Sequence, residues 1–190
     1  LLDIGTNGEM VLGDRHRRIA CSTAAGPAFE GAKLRCGMRG AAGAIDHVRL
    51  AEGRLSVHVV GEGRARGICG SGLLDAAAAL LESGLMDESG ALLEPEELED
   101  AALADRLTEI DGMPAVVLAP AEDSVDRSPV VLTQMHIREL QLAKAAVAAG
   151  IRLMAEDFGA ALEDIGTVLI AGAFGNFMDP ESALRIGLLP

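Results

Sequence analysis

Short apolar runs separated by glycine-rich turns dominate the start of the chain. Residues 1–13 carry two apolar runs on either side of Thr6-Asn7-Gly8, and asparagine and glycine accept the positive φ that tight hairpin turns require. In residues 17–24, Ile19, Cys21 and Thr23 alternate with smaller side chains, which is the period of a strand. The pattern predicts a β-hairpin followed by a third strand.

The middle of the chain changes from strand-like to helix-like periodicity. Residues 48–59 alternate around Glu52-Gly53 and predict a second hairpin, within a region of about residues 32–66 that has the character of an insertion. The alanine- and leucine-rich run at residues 73–81 predicts a helix that stops at Gly84. Residues 94–111 are acidic and predict a solvated helical segment.

The last third of the chain predicts a long helix between buried strands. Residues 115–119 predict a short buried strand, and residues 130–132 predict either another strand or the lead-in to a helix. An apolar stripe over residues 136–158 predicts the longest helix, capped by Thr133. Residues 165–171 are almost wholly apolar, which predicts a central strand covered on both faces. Asp179 is expected to cap a last short helix.

Composition and charge narrow the function classes. The 190 residues suit a single domain, and their net charge of −13 argues against binding to nucleic acid or to an acidic membrane surface. No apolar run reaches the length of a membrane span. The three cysteines form no C-x-x-C pair, which favours free thiols in a reducing, cytoplasmic compartment. The first residue already lies in a predicted strand, so we expect a fragment of a longer protein.

Candidate chemistry begins at Asp3, an acid within an apolar strand. A buried charge there is costly unless something pairs with it. The N–H groups of the turn at Gly5, Thr6, Asn7 and Gly8 suit phosphate oxygens, and Asp3 suits Mg²⁺ bound through water. An ordinary Asn-Gly hairpin explains the same residues, and both interpretations stay open here.

Three further segments combine small and polar residues where elements end or begin. The first two have a structural alternative, a plain loop before a helix and a tight helix entry. The first segment holds Ser22, Thr23 and Gly26, with Glu30 as a candidate to orient water; the second is Gly70-Ser71-Gly72 at a helix start; the third holds Gly172, Ala173, Gly175 and Asn176 at a strand end, where a base or ribose would fit.

Taken in order, these motifs resemble a known family. The chain is similar to an actin-like, ribonuclease H-like α/β lobe, with a mixed sheet and helices on its faces, of the acetate and sugar kinase, chaperone and actin superfamily. Within it, the chain resembles the carboxy-terminal ASKHA-type ATPase domain of reductive activators of corrinoid proteins. Five motifs carry the resemblance: Asp3-Ile4-Gly5-Thr6-Asn7-Gly8-Glu9, residues 21–31, Gly67-Ile68-Cys69-Gly70-Ser71-Gly72, Leu132-Thr133-Gln134 with residues 137–144, and Ala171-Gly172-Ala173-Phe174-Gly175-Asn176.

The resemblance implies a function and a set of partners. It implies an ATP-dependent protein that drives an electron from a [2Fe–2S] cluster to an inactive Co(II) corrinoid protein and so regenerates Co(I). The cluster is expected in an amino-terminal domain, and this chain is expected to be the second nucleotide-binding lobe. The implied ligands are ATP and Mg²⁺, and the implied partner is a corrinoid protein. A second copy of the chain is a further candidate partner.

Roles for single residues follow from their position at strand ends. Asp3 is expected to position Mg²⁺, the turn to contact phosphate, and the segment after the third strand to line the cleft. Gly172, Ala173 and Gly175 are expected to pack against adenosine, with Asn176 beside them.

Two other functions stay open at this stage. One is a small-molecule kinase of the same superfamily, and the other is a non-catalytic docking or dimerisation module. Nucleotide affinity separates the module from both enzymes, and product analysis with a corrinoid protein separates the activator from the kinase.

Overall fold

The computed structural model describes residues 1–32 and 34–190, which form three small sheets and five α-helices. The strands are β1 (Leu2–Ile4), β2 (Gly8–Gly13), β3 (Arg18–Thr23), β4 (Ala44–Ala51), β5 (Arg54–Val59), β6 (Gly67–Ile68), β7 (Leu107–Ile110), β8 (Met113–Ala119), β9 (Val130–Thr133) and β10 (Ile170–Ala171). The α-helices are α1 (Gly70–Ser83), α2 (Ala101–Ala104), α3 (Gln134–Phe158), α4 (Gly172–Gly175) and α5 (Pro180–Arg185).

The first sheet has the strand order β10-β1-β2-β3 and carries the candidate site. β10 runs parallel to β1, and the β1–β2 and β2–β3 pairs are antiparallel. α3 packs on this sheet through Gly150, where a β-carbon would lie 2.6 Å from Thr23 Cγ2. The side chains of Leu2, Ile4 and Met10 are buried, so α3 covers the apolar face of the predicted hairpin.

The other two sheets are packed together and are also bridged by one guanidinium group. Their strand orders are β5-β4-β6 and β7-β8-β9. Arg106 donates hydrogen bonds to the carbonyl oxygens of Val117 and Leu118, in β8, and of Leu55, in β5. The region predicted as an insertion, residues 32–66, supplies β4 and β5; Lys33 within it lies outside the described residues.

α1 is the most deeply buried helix of the described chain. All its residues from Gly70 to Leu80 are buried, and the helix ends at Gly84, whose φ of 73° is left-handed. A left-handed residue after a helix is most easily supplied by glycine. The prediction of a helix that stops at Gly84 is confirmed, and the structure places its start three residues earlier than the alanine- and leucine-rich run suggests.

The predictions for residues 94–111 and 165–171 need correction. The acidic segment is not one helix, because it contains a 3₁₀ turn (Pro95–Glu97), the single turn α2 and the strand β7. In residues 165–171 only Ile170 and Ala171 pair as a strand, and β10 lies at the edge of its sheet. Val168 and Leu169 are 39% and 60% exposed, so the expected central, doubly covered strand is wrong for the described chain.

Candidate functional site

Three strands of the first sheet end at the same edge. β1 and β10 are parallel, and β3 points the same way because β2 lies antiparallel between β1 and β3. In this register Ile4, Gly8 and Thr23 lie side by side. The turn after β1, the loop after β3 and the start of α4 after β10 therefore meet at one place. Carboxyl ends of strands are where α/β sheets usually place ligands.

Asp3 lies on the exposed face of this sheet. The sequence led us to expect a buried acid, but only Leu2 and Ile4 of β1 point to the core, and Asp3 alternates to the solvent side. Its carboxylate lies against Gly172, where a β-carbon would overlap Oδ1. Asp3 therefore needs no buried partner, and it lies directly beside the first residue of α4.

Glu9 is a neighbour of Asp3 that sequence reasoning left out of the site. Asp3, Glu9 and Ser22 face one another across β1, β2 and β3, and all three are exposed. Like charges directly opposite in a sheet repel, so the Asp3–Glu9 pair favours a bound cation. The sequence could have predicted this pair, because a hairpin whose turn spans residues 5–7 places Asp3 opposite Glu9.

The turn after β1 is held by the loop after β3. The backbone N–H of Gly26 donates to the carbonyl oxygen of Thr6 at 2.8 Å, and that of Gly5 donates to Asn7 at 2.8 Å. The hydroxyl of Thr6 donates a short hydrogen bond to Glu30, which ends a 3₁₀ turn (Pro27–Glu30). Two predicted segments that are 24 residues apart are thus joined at the exposed edge.

Gly8 and Thr23 lie deeper than the other candidate residues. A β-carbon on Gly8 would lie 2.9 Å from Thr23 Oγ1, and the Thr23 hydroxyl is 3.5 Å from the Gly8 carbonyl oxygen. Gly8 is buried and Thr23 is half-buried, so this pair supports the turn from below.

The residues after β10 form a single helical turn. Gly172 has a φ of 81° and begins α4, Ala173 and Asn176 are exposed, and Gly175 packs on Ile170, where a β-carbon would lie 2.5 Å from Cγ2. Phe174 points toward the 3₁₀ turn and stacks on Phe29, with ring centroids 4.9 Å apart. The aromatic pair, which sequence reasoning missed, fixes α4 against the loop that carries Glu30.

Gly70, Ser71 and Gly72 lie below this edge and are buried. A β-carbon at Gly70 would overlap the carbonyl oxygen of Phe29 and lie 3.0 Å from the Phe174 ring. One at Gly72 would overlap the carbonyl oxygen of Ile45. Close packing at a tight helix entry accounts for these residues, and the anion site suggested there stays a prediction.

The exposed edge fits Mg²⁺ and nucleotide in its donor types. Mg²⁺ is commonly held by one or two carboxylates, several waters and the substrate's phosphates, and Asp3 and Glu9 supply two carboxylates on one face. Within residues 1–32 and 34–190, no group of three or more His, Cys, Asp or Glu side chains is placed to hold a metal ion. Water and phosphate would therefore complete the coordination.

None of the helices in the described ranges combines the length and hydrophobicity that crossing a membrane requires.

Comparison with known proteins gives consistent matches over the whole chain. The family model described as the C-terminal domain of RACo, the ASKHA domain, matches residues 1–190. A corrinoid activation enzyme, RamQ, from Eubacterium limosum is 37% identical over 191 residues, which is 100% of this chain and 32% of the relative. A [Co(II) methylated amine-specific corrinoid protein] reductase from Methanosarcina barkeri is 28% identical over 211 residues, which is 99% of this chain and 34% of the relative.

A solved structure agrees with the sequence matches. A reductive activator for a corrinoid, iron–sulfur protein superposes with a TM-score of 0.88 at 40% identity, and the match covers 100% of this chain and 30% of that one. The ASKHA-type mixed α/β fold expected from the sequence is confirmed. The chain spans about a third of the length of the relatives it matches.

Proposed function

Because the chain belongs to the family of the C-terminal ASKHA domain of RACo, we propose that it is the second nucleotide-binding lobe of an ATP-driven reductive activator of a corrinoid protein. The parent protein would move an electron from a [2Fe–2S] cluster, carried elsewhere in its sequence, to an inactive Co(II) corrinoid and so regenerate Co(I).

One observation carries the nucleotide part of this proposal. Three elements meet at a single exposed edge of the first sheet. They are the turn at Gly5, Thr6 and Asn7, the carboxylate of Asp3, and the start of α4 at Gly172. A Mg²⁺–nucleotide needs these three elements together: N–H donors for phosphate, a carboxylate for the ion and a close backbone for the sugar or base.

In this arrangement each group has a definite task. Asp3, with Glu9 opposite it, holds the waters around Mg²⁺. The turn's N–H groups bind phosphate, and the Thr6 hydroxyl, which donates to Glu30, holds the turn in place. Glu30 orients the attacking water or, through Thr6, the turn itself. Ala173 and Asn176 face the nucleoside, while Gly172 and Gly175 let α4 pack closely against Asp3 and Ile170.

ATP would supply free energy by favouring one arrangement of the activator on its corrinoid partner. A ligand shifts a conformational equilibrium only by as much as it binds one state better than the other. By the same thermodynamic coupling, binding of the corrinoid protein changes the affinity of the activator for nucleotide by an equal factor. Reciprocal changes in affinity are therefore part of the proposal.

The test is calorimetric titration of the chain, and of the full-length parent, with Mg·ATP and Mg·ADP. Asp3→Ala is expected to abolish or strongly weaken binding, whereas Glu88→Gln, at an exposed position outside the edge, should leave it unchanged. Equal nucleotide affinity of Asp3→Ala and wild type in the full-length protein would contradict the assignment of the site.

The activator reaction is tested separately, by following the Co(II) to Co(I) absorbance change in a corrinoid protein with the full-length parent and reductant. ATP-dependent Co(I) formation is the expected result. Phosphorylation of a small molecule instead would identify a kinase, and the absence of nucleotide binding in both chain lengths would identify a docking module.

A further inference from the structure

Two histidines face each other on the hairpin of β4 and β5, outside the proposed nucleotide site. His47 and His58 are directly opposite in the register of the two strands, and their ring centroids are 6.1 Å apart. Their side chains are 34% and 65% exposed. Both line one surface cavity of about 300 Å³.

Each ring has one nitrogen already held by a carboxylate. His47 Nδ1 lies 2.8 Å from Asp75 Oδ2, and His58 Nδ1 lies 2.5 Å from Asp46 Oδ1. An imidazole that donates its Nδ1–H to a carboxylate keeps a lone pair on Nε2, and this is the arrangement found behind metal-bound histidines. The two Nε2 atoms are therefore available as metal ligands.

A β-bulge produces this grouping. The register of β4 and β5 shifts between Ile45 and His47, so Asp46 is the extra residue of the bulge. The shift lets Asp46 reach His58 with one oxygen and places the other 4.0 Å from His47 Nε2. Bulges re-aim side chains and are frequent beside functional sites. Without this bulge, Asp46 and His47 would point to opposite faces of the strand.

Asp75 anchors the pair to the core. Its side chain is 1% exposed, and it comes from α1, the most buried helix of the described chain. The His47 ring is thus fixed from behind by a group that is itself immobilised, which is what a preorganised ligand requires.

We propose that His47 and His58 form a two-histidine site for a divalent transition-metal ion such as Zn²⁺ or Ni²⁺, oriented by Asp75 and Asp46. Imidazole nitrogen suits these metals, which it binds at about 2.0–2.1 Å. Water fills the remaining positions. Asp46 adds negative charge on the side of the ion, whereas Arg49, which lines the same cavity, opposes binding.

The experiment is calorimetric titration of the chain with ZnCl₂ and NiCl₂, together with NMR of the histidine Cε1–H resonances. One ion should bind per chain, and the His47 and His58 signals should shift or broaden while those of His16 and His136 stay in place. His58→Gln should weaken binding at least about tenfold, and Asp46→Asn by about 10- to 100-fold. His16→Gln, at an exposed histidine on the β2–β3 turn, is the matched control and should bind like wild type.

Arg49→Gln separates a metal site from an anion site. A metal site should bind its ion more tightly once the Arg49 charge is removed. If the cavity instead binds sulfate or phosphate, and Arg49→Gln abolishes that binding, the proposal is overturned. It is equally overturned if His58→Gln, folded by circular dichroism, retains wild-type metal affinity.

Discussion

The carboxylate of Asp3 lies so close to Gly172 that a β-carbon at residue 172 would overlap Oδ1 of Asp3. Gly172 also has a φ of 81°, a backbone conformation that residues with a side chain rarely adopt. Both constraints act at the point where β10 becomes α4. The glycine is therefore required twice, once for its conformation and once for the space that Asp3 occupies.

Gly172→Ala should consequently displace Asp3 and weaken nucleotide binding. The left-handed conformation alone should cost about 1–3 kcal/mol of stability. Thermal melts and titration with Mg·ADP measure the two effects. Gly166→Ala is the matched control, since a β-carbon there meets no atom within 4 Å among the described residues. Unchanged nucleotide affinity in Gly172→Ala would argue against a role for the Asp3–Gly172 contact.

The Thr6–Glu30 hydrogen bond gives a test of how the turn is held. Thr6→Ser keeps the hydroxyl donor and should bind nucleotide within a few-fold of wild type. Thr6→Val removes the donor at similar volume and should weaken binding by roughly the 1.5–3 kcal/mol of a hydrogen bond to a charged group. Competition titration with a fluorescent ATP analogue measures both variants. Equal affinities for serine and valine would assign the binding to backbone N–H groups alone.

Gly70 distinguishes packing from anion binding at the start of α1. A β-carbon at Gly70 would overlap the Phe29 carbonyl oxygen, so Gly70→Ala should destabilise the protein without any ligand, by about 1–3 kcal/mol. Urea unfolding in phosphate-free buffer measures this. Gly40→Ala, where a β-carbon meets open space, should be neutral. If Gly70→Ala has wild-type stability but does not bind phosphate, the result would support an anion site at the start of α1.

His136 should make stability depend on pH. Burial, and to a lesser extent the charge of Arg35, lower the pKa of His136 below its usual 6.5. The backbone N–H groups of Arg35 and Thr133 lie 3.0 and 3.1 Å from its two ring nitrogens, and a protonated ring can accept from neither.

The unfolded chain therefore takes up this proton more readily than the folded one, so the His136 contribution is complete above pH 6.5 and is lost as pH falls through the lowered folded pKa. The slope is at most about 1.4 kcal/mol per pH unit. Melting temperatures from pH 7.5 to 5 should fall more steeply for wild type and His16→Asn than for His136→Asn. Parallel curves for all three would refute the assignment.

The elements that local periodicity determines were predictable. The hairpin, the third strand, the helix ending at Gly84 and the long helix capped by Thr133 all follow from apolar spacing and turn residues, and the structure contains each of them. Register and periodicity are local properties, so a single sequence carries them.

What the sequence did not reveal depends on long-range contacts. The burial of Asp3 was predicted wrongly because an apolar neighbourhood in sequence hides the alternation that sends Asp3 to solvent. The edge position of β10 could not be read from the apolar character of residues 165–171, since that pattern does not report which strands lie beside it. The Phe29–Phe174 stack joins residues far apart in the chain and leaves no periodic signal.

The guanidinium of Arg106, which donates to three carbonyl oxygens in β5 and β8, affects how the molecule opens. The two sheets share no strand pairing, but Leu55 of β5 and Leu118 of β8 belong to the same apolar core, so Arg106 adds a polar link to a packed one. The amide hydrogens of β5 and β8 should therefore exchange with solvent together, as one cooperative unit. Losing the Arg106 cation should weaken this coupling and speed the exchange of the hairpin that carries His47 and His58.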